Sequence, residues 1–220
     1  MIKAIIFDMD DTLYEEREYV LSGFFAIDNY LNQINIDGFY KKAVRLFDRG
    51  VRGTIINDVL ESMGILYSEN FILFLVELYR NHIPKITLLD DAKVVIETLR
   101  PKYKLGLLTD GYIKTQQNKV KALGVDGYFD IMIYSDSFGR EHWKPSPTPY
   151  LELMKKFQCE GPELIYIGDN PMKDFITAKK LDWMTVKIER ETGEYKDTLI
   201  SEEYKADYTI NTLYELLELL

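Results

Sequence analysis

Short apolar runs alternate with stretches of helical periodicity along most of the chain. Apolar runs of four to eight residues that end at turn-forming or polar residues predict buried strands. Five such runs are present: Ala4–Phe7, Lys104–Leu108, Ile131–Tyr134, Leu164–Ile167 and Met184–Ile188. Apolar residues at helical spacing predict helices between most of them: Ala92–Leu99, Ile113–Leu123, Pro147–Phe157 and Met172–Leu181. This alternation predicts an α/β fold, with a Rossmann-like parallel sheet covered by helices on both faces. A weaker strand at Tyr208–Ile210 and a helix at Leu213–Leu220 are expected to follow.

One interval near the N-terminus shows helical periodicity and no convincing strand. It predicts four helices: Val20–Leu31, Phe39–Asp48, Ile55–Met63 and Asn70–Tyr79. We interpret residues 15–84 as a helical-bundle cap domain inserted into a Rossmann-like catalytic core formed by residues 1–14 and 85–220.

Composition narrows the class of protein. The 220 residues carry a formal net charge of −9, which argues against a broad electrostatic grip on nucleic acid or anionic lipid. Cys159 is the single cysteine, so the chain cannot form an internal disulfide, and this fits a reducing compartment. No signal peptide and no apolar stretch long enough to cross a membrane is evident. We therefore expect a cytoplasmic enzyme or binding protein that does not associate with membranes.

Polar and charged residues follow several predicted strands directly. Because the carboxyl ends of parallel strands lie along one edge of a sheet, these residues are expected to converge on one cleft. They are Asp8, Asp10 and Thr12, then Thr109-Asp110-Gly111, then Lys144-Pro145-Ser146-Pro147 ahead of a helix, and finally Gly168-Asp169-Asn170 with Asp174.

The residues expected in this cleft suit the binding of a metal ion and of a phosphate group. Charges that leave water must be paired or must bind a metal, and hard carboxylate oxygens suit Mg²⁺. Lys144 and Thr109 supply one cationic and one neutral donor to an anion. An anion held between Mg²⁺ and these donors is well placed for phosphoryl transfer, with a carboxylate as nucleophile.

The constellation resembles the haloacid dehalogenase superfamily of phosphotransferases. The four sequence motifs of that family occur in order: Asp8-Met9-Asp10-Asp11-Thr12, Thr109, Lys144, and Gly168-Asp169 with Asp174. A single Asp-x-Asp-x-Thr would be a weak signal, but the four motifs together span nearly the whole chain.

The resemblance implies roles for the acids. Asp8 would be the nucleophile and a Mg²⁺ ligand. Asp10 would be the general acid and then the general base, and would give the metal its backbone carbonyl. Asp169 would bind the metal directly, whereas Asp174 would orient metal-bound water or Lys144. Family members that cleave carbon–halogen bonds lack an acid at the position of Asp10, so its presence argues against dehalogenation.

The resemblance also implies a phosphate site made by Thr109, Lys144 and the loop after Thr109. Asp110 occupies a position where asparagine is commoner, so we expect its side chain to face outward and its N–H to face the phosphate. Asn170 is either a support for the metal site or a helix cap before Pro171. The spacer before Lys144 is longer than usual in this family.

Four residues are candidates for substrate contacts. Tyr14 and Glu15 follow the first motif, and Arg49 and Arg52 flank two glycines in a loop of the predicted cap. Arginine there would suit a carboxylate or a second phosphate, although a solvated loop arginine is an equally good interpretation.

The sequence thus predicts a Mg²⁺-dependent phosphatase of a small phosphorylated metabolite, acting through an aspartyl-phosphate. The family suggests a sugar phosphate or a nucleoside monophosphate. A phosphomutase with the same acids, or a non-catalytic binding protein on this fold, are the alternatives. The oligomeric state has no signature in the sequence.

Overall fold

The computed structural model describes residues 1–196 and 198–220. These residues form two compact units. One comprises Met1–Glu16 with Thr87–Leu220, and the other comprises Arg17–Ile86.

The first unit is built on a parallel sheet. Its described strands are β1 (Ala4–Phe7), β2 (Lys104–Thr109), β3 (Ile131–Tyr134), β4 (Leu164–Gly168), β5 (Met184–Ile188) and β6 (Tyr208–Ile210). They lie in the order β3-β2-β1-β4-β5-β6, and every pair is parallel. The predicted α/β, Rossmann-like fold and the six predicted strands are confirmed. β2 and β4 each extend one residue further than predicted, to Thr109 and Gly168.

Helices connect the strands and also make up the second unit. Their bounds are α1 (Glu16–Gln33), α2 (Phe39–Asp48), α3 (Ile55–Ser62), α4 (Glu69–Asn81), α5 (Asp90–Leu99), α6 (Ile113–Leu123), α7 (Thr148–Phe157), α8 (Phe175–Lys180) and α9 (Leu216–Leu219). Among the described residues, no helix combines the length and the apolar character that crossing a bilayer requires.

The sheet is buried on both faces, as parallel sheets usually are. All four residues of β1 are buried, and so are all five of β4. On one face, side chains of β1 and β4 share a core with residues of α7 and α8, including Tyr150 and Phe175. The apolar runs that predicted the strands are therefore explained by burial on two sides.

Two helix predictions are wrong in their extent. The prediction Met172–Leu181 starts too early, because the Asn170 side chain accepts a hydrogen bond from the Met172 N–H (3.0 Å) and turns the backbone before α8 begins. At the C-terminus, the predicted single helix is a 3₁₀ turn at Leu213–Glu215 followed by the short α9.

The second unit is helical throughout its regular structure. α1 to α4 pack around a core that contains Phe24, Leu31, Phe39 and Leu75. α1 is longer than the predicted Val20–Leu31 at both ends, whereas α2 has the predicted bounds. The interpretation of this unit as a cap stays a prediction.

Candidate active site

The carboxyl ends of three neighbouring strands place the predicted catalytic residues together. β1 lies between β2 and β4, so Asp8, after β1, is flanked by Thr109 on one side and Asp169 on the other. The Asp8 N–H continues the ladder by donating to the Ile167 carbonyl (2.8 Å). Asp8, Thr109 and Asp169 are all buried.

Lys144 joins Asp8 to Asp174. Its ammonium is fully buried and contacts Asp8 Oδ1 at 2.7 Å and Asp174 Oδ1 at 2.8 Å. Its third partner is the Tyr166 hydroxyl, 2.8 Å away. An ammonium has three protons to donate, and here each meets one acceptor. The two carboxylates raise the pKa of Lys144 against the opposing effect of burial, so this lysine is a permanent cation.

Three buried carboxylates form the candidate metal site. Oxygen atoms of Asp8, Asp169 and Asp174 lie within 4.8 Å of one another. The pKa of Asp8 is raised to about 7, because burial, with a smaller effect of Asp174, outweighs the lowering effect of Lys144. Burial and the neighbouring acids also raise the pKa of Asp169 well above its usual range. In the described part of the chain, no hydrogen bond or ion pair reaches the Asp169 carboxylate. An all-oxygen set with this excess of negative charge fits a hard divalent cation such as Mg²⁺.

Asp10 lies beside this cluster and has its own partners. Its Oδ1 accepts hydrogen bonds from the Tyr14 hydroxyl and from Lys119, whose Nζ is 2.7 Å away. Its Oδ2 is 3.2 Å from the Gln116 amide nitrogen. Burial alone would raise the pKa of Asp10, but Lys119 and the two hydrogen bonds outweigh it and lower that pKa. Asp10 is therefore ionised in this arrangement, which is the form that accepts a proton.

The Asp110 side chain does not face outward as expected. It is 6% exposed and lies 3.3 Å from Lys173 Nζ. Its Oδ1 accepts hydrogen bonds from the Ser135 hydroxyl (2.6 Å) and from the Lys144 N–H (3.1 Å). The expectation failed because a buried carboxylate needs partners, and the turn after β3, the loop before α7 and the turn before α8 supply them. These partners lower the pKa of Asp110, although burial opposes them.

Asn170 caps a turn and supports Asp174. Its side-chain oxygen accepts from the Met172 N–H, and its own N–H donates to Asp174 Oδ2 (3.0 Å). The cap interpretation of Asn170 is thus correct for the turn at 170–174, whereas α8 itself begins after Asp174.

A family model described as haloacid dehalogenase-like hydrolase matches residues 5–188 of the chain. The match spans β1 to β5 and includes all four motifs. The chain belongs to the haloacid dehalogenase-like hydrolase family.

Individual members of this family resemble the chain over its whole length. It is 32% identical to glyceraldehyde 3-phosphate phosphatase of Methanocaldococcus jannaschii, and the match covers 100% of this chain and 97% of that protein. It is 25% identical to the pyrophosphatase PpaX of Bacillus mycoides, with 100% and 97% covered. A solved structure of the HAD hydrolase YfnB of Bacillus subtilis, bound to magnesium, superposes on this chain with a TM-score of 0.73 at 20% identity. The superposition covers 100% of this chain and 98% of that one.

The substrate candidates of this haloacid dehalogenase-like hydrolase lie in different surroundings. Tyr14 is fully buried and bonds to Asp10, and Glu15 is half-buried just before α1. Arg52 stacks on the Phe47 ring, with its guanidinium carbon 3.8 Å from the ring centroid. Arg49 is exposed at the end of α2 and lines a cavity of about 520 Å³. Contact of these side chains with a substrate stays a prediction.

Sequence reasoning missed the polar residues that brace the motifs. Lys119 and Gln116 lie on the buried face of α6, Lys173 precedes Asp174, and Tyr166 lies two residues before Gly168. One signal was available in the sequence of this haloacid dehalogenase-like hydrolase. The helical periodicity of α6 places Gln116 and Lys119 on the same face as Val120 and Leu123, and polar residues on a core face need polar partners.

Proposed function

We propose that the protein is a Mg²⁺-dependent phosphatase that hydrolyses a small phosphate ester through a phosphorylated Asp8. One observation carries the proposal: Asp8 is buried against the Lys144 ammonium and lies with Asp169 and Asp174 in one carboxylate cluster. An ordinary strand end would leave these acids in water, because burying them without a bound cation is costly.

The curated relatives support the class of substrate. Two proteins that match this chain along its length are named for the hydrolysis of a phosphorylated triose and of pyrophosphate. We therefore propose a sugar phosphate of few carbons as the first substrate to test, with a nucleoside monophosphate as the other expected class.

The residues of the chain account for both halves of the reaction. Asp10 first takes up a proton from solvent, because a carboxylate must be protonated to act as an acid. Asp8 then attacks phosphorus, the bond to the ester oxygen breaks, and Asp10 protonates the departing oxygen. Water then attacks the phospho-Asp8, Asp10 takes its proton, and inorganic phosphate leaves. Lys144 and Thr109 bind the phosphoryl oxygens in both steps. When bound, Mg²⁺ would lie against Asp8 and Asp169 and offset the charge of the transferring group.

The helical unit is proposed to act as the cap that the family resemblance implies. In this proposal the cap residues Arg49 and Arg52, together with Tyr14 and Glu15 after the first motif, select the substrate. Caps of this kind exclude water from the reacting group and commit the bound substrate to reaction.

The test is a phosphate-release assay of the purified protein with Mg²⁺. The panel contains glyceraldehyde 3-phosphate, pyrophosphate, other sugar phosphates and nucleoside monophosphates. We expect activity that EDTA abolishes and Mg²⁺ restores. Asp8→Asn should remove activity without changing the thermal midpoint greatly, whereas Asp126→Asn, at an exposed position, should behave as the wild type.

Three results would contradict the proposal. Normal turnover by Asp8→Asn would exclude Asp8 as the nucleophile, and full activity in EDTA would exclude the metal. An isomerised phosphate ester without inorganic phosphate would instead identify a phosphomutase.

A further inference from the structure

Gln116 is a buried polar side chain that joins two of the motifs. Its amide nitrogen lies 2.6 Å from Thr109 Oγ1, 2.7 Å from the Asp110 carbonyl oxygen and 3.2 Å from Asp10 Oδ2. The residue is 1% exposed, and the bond from its N–H to the Tyr112 carbonyl holds its backbone in the first turn of α6. Burial and the three contacts of the amide nitrogen hold the side chain in one orientation.

The neighbours of this nitrogen settle which end of the amide faces the motifs. The Asp110 backbone carbonyl can only accept a hydrogen bond, so the atom that faces it must be the NH₂ group. That group has two hydrogens. The two shortest contacts, to Thr109 and Asp110, use them, and the longer contact to Asp10 is secondary.

The contact with Thr109 determines the direction of the threonine hydroxyl. A hydroxyl has one proton and can accept as well as donate. Because Gln116 donates to Oγ1, the proton of Thr109 is directed away from Gln116. Within residues 1–196 and 198–220, no acceptor for that proton is recorded. It is left to donate to a group that enters from outside the chain.

Gly111 leaves the space that this arrangement needs. Its φ of +123° is unfavourable for residues with a side chain, and an added Cβ would lie 3.2 Å from Gln116 Cδ. The Thr109-Asp110-Gly111 turn and Gln116 thus form one unit, in which the glycine lets the amide approach the backbone.

We propose that Gln116 is a positioning residue for phosphate recognition: it directs the Thr109 hydroxyl proton toward the phosphoryl oxygen. The inference rests on the proposed phosphatase function and extends it, because it adds Gln116 to Thr109, the residue of the second motif, in phosphate binding. Gln116 acts through Thr109 and does not touch the substrate.

A double-mutant cycle tests this. Gln116→Met keeps the length of the side chain and removes the donor, and Thr109→Val removes the hydroxyl at nearly constant shape. We expect Gln116→Met to lower kcat/KM for p-nitrophenyl phosphate by about tenfold, and to weaken competitive inhibition by inorganic phosphate similarly. In the Thr109→Val background the same change should cost less than about twofold, because the group that Gln116 orients is already gone.

Controls separate orientation from stability. Gln117→Met, at the next and exposed position of α6, should leave kcat/KM and phosphate inhibition unchanged. Gln116→Leu also lacks the donor and replaces Gln116→Met if that variant does not fold. The thermal midpoints of the folded variants should stay close to that of the wild type, whereas their affinities for phosphate should differ from it.

The outcomes distinguish this inference from the proposed function. If the wild type releases no phosphate from any substrate, the proposed function fails. If the wild type is active and the Gln116 substitution costs the same with and without the Thr109 hydroxyl, Gln116 does not act through Thr109 and the inference is wrong. An unchanged inhibition constant for inorganic phosphate in Gln116→Met would also overturn it.

Discussion

Replacement of Gly168 by alanine should damage the site, because there is no room for a Cβ at this position. A Cβ at residue 168 would overlap Asp174 Oδ2 and lie 2.9 Å from Asp174 Cγ and 3.1 Å from Tyr166 Cε1. Gly168 has no positive φ, so the effect of this substitution comes from the contact alone. The Asp174 carboxylate would have to move, and it binds both the Asn170 N–H and the Lys144 ammonium.

The size of the effect follows from these contacts. An extra methyl group in a packed interior costs about 1–3 kcal/mol, and each weakened hydrogen bond to a charged group costs about 1.5–3 kcal/mol. The surrounding side chains will relax in part and reduce these costs, so we expect the free energy of unfolding to fall by about 3 kcal/mol. For a chain of this size that lowers the thermal midpoint by about 6–12 °C. Since Lys144 loses its alignment, kcat should fall by about 100-fold.

Thermal unfolding of the metal-free protein and phosphate release with Mg²⁺ measure the two effects. The matched control is Gly127→Ala, because Gly127 has an ordinary φ and a Cβ there would meet nothing within 4 Å. It should behave as the wild type. If Gly168→Ala kept the wild-type midpoint and rate, the contact between residue 168 and Asp174 would not constrain the site as described.

Three further predictions concern other contacts. Tyr166→Phe removes one acceptor of the buried Lys144 ammonium and should cost about 1–3 kcal/mol of stability and lower kcat; unchanged thermal unfolding would contradict this. Asp91→Ala leaves Arg190, whose side chain is 11% exposed, without its carboxylate partner. It should lower the free energy of unfolding, measured by denaturant titration, by about 3–5 kcal/mol. A loss below about 1 kcal/mol would contradict this prediction. The pKa of Asp8 is raised to about 7, so the metal-free fold loses stability as pH rises from about 4 to 7. Added Mg²⁺ should therefore raise the thermal midpoint more at about pH 8 than at about pH 5.5. An equal increase at both pH values would refute this.

The sheet and the main acids could be predicted from the sequence because their signals are local. A parallel strand buried on both faces is a continuous apolar run, and Asp8, Thr109 and Asp169 each follow such a run directly. Parallel pairing then brings the three residues together without any further information.

The partners of these residues could not be predicted because they come from distant parts of the chain. Gln116 and Lys119 reach Asp10 across more than 100 positions, and Asp110 meets Ser135 and Lys173 in a similar way. No local pattern shows which buried polar side chains will meet. The start of α8 was missed for a different reason, since helical spacing continues through a turn that the Asn170 side chain closes.

The position of β1 in the sheet has a consequence for how the protein folds. Residues of β1 pair with residues of β2 that are 100 positions later and with residues of β4 that are 160 positions later. Pairings over such distances are slow to form, because a long loop must be closed before they stabilise anything. During synthesis Asp8 leaves the ribosome long before Thr109 and Asp169, so a nascent chain that lacks the later strands cannot assemble the cluster of buried acids.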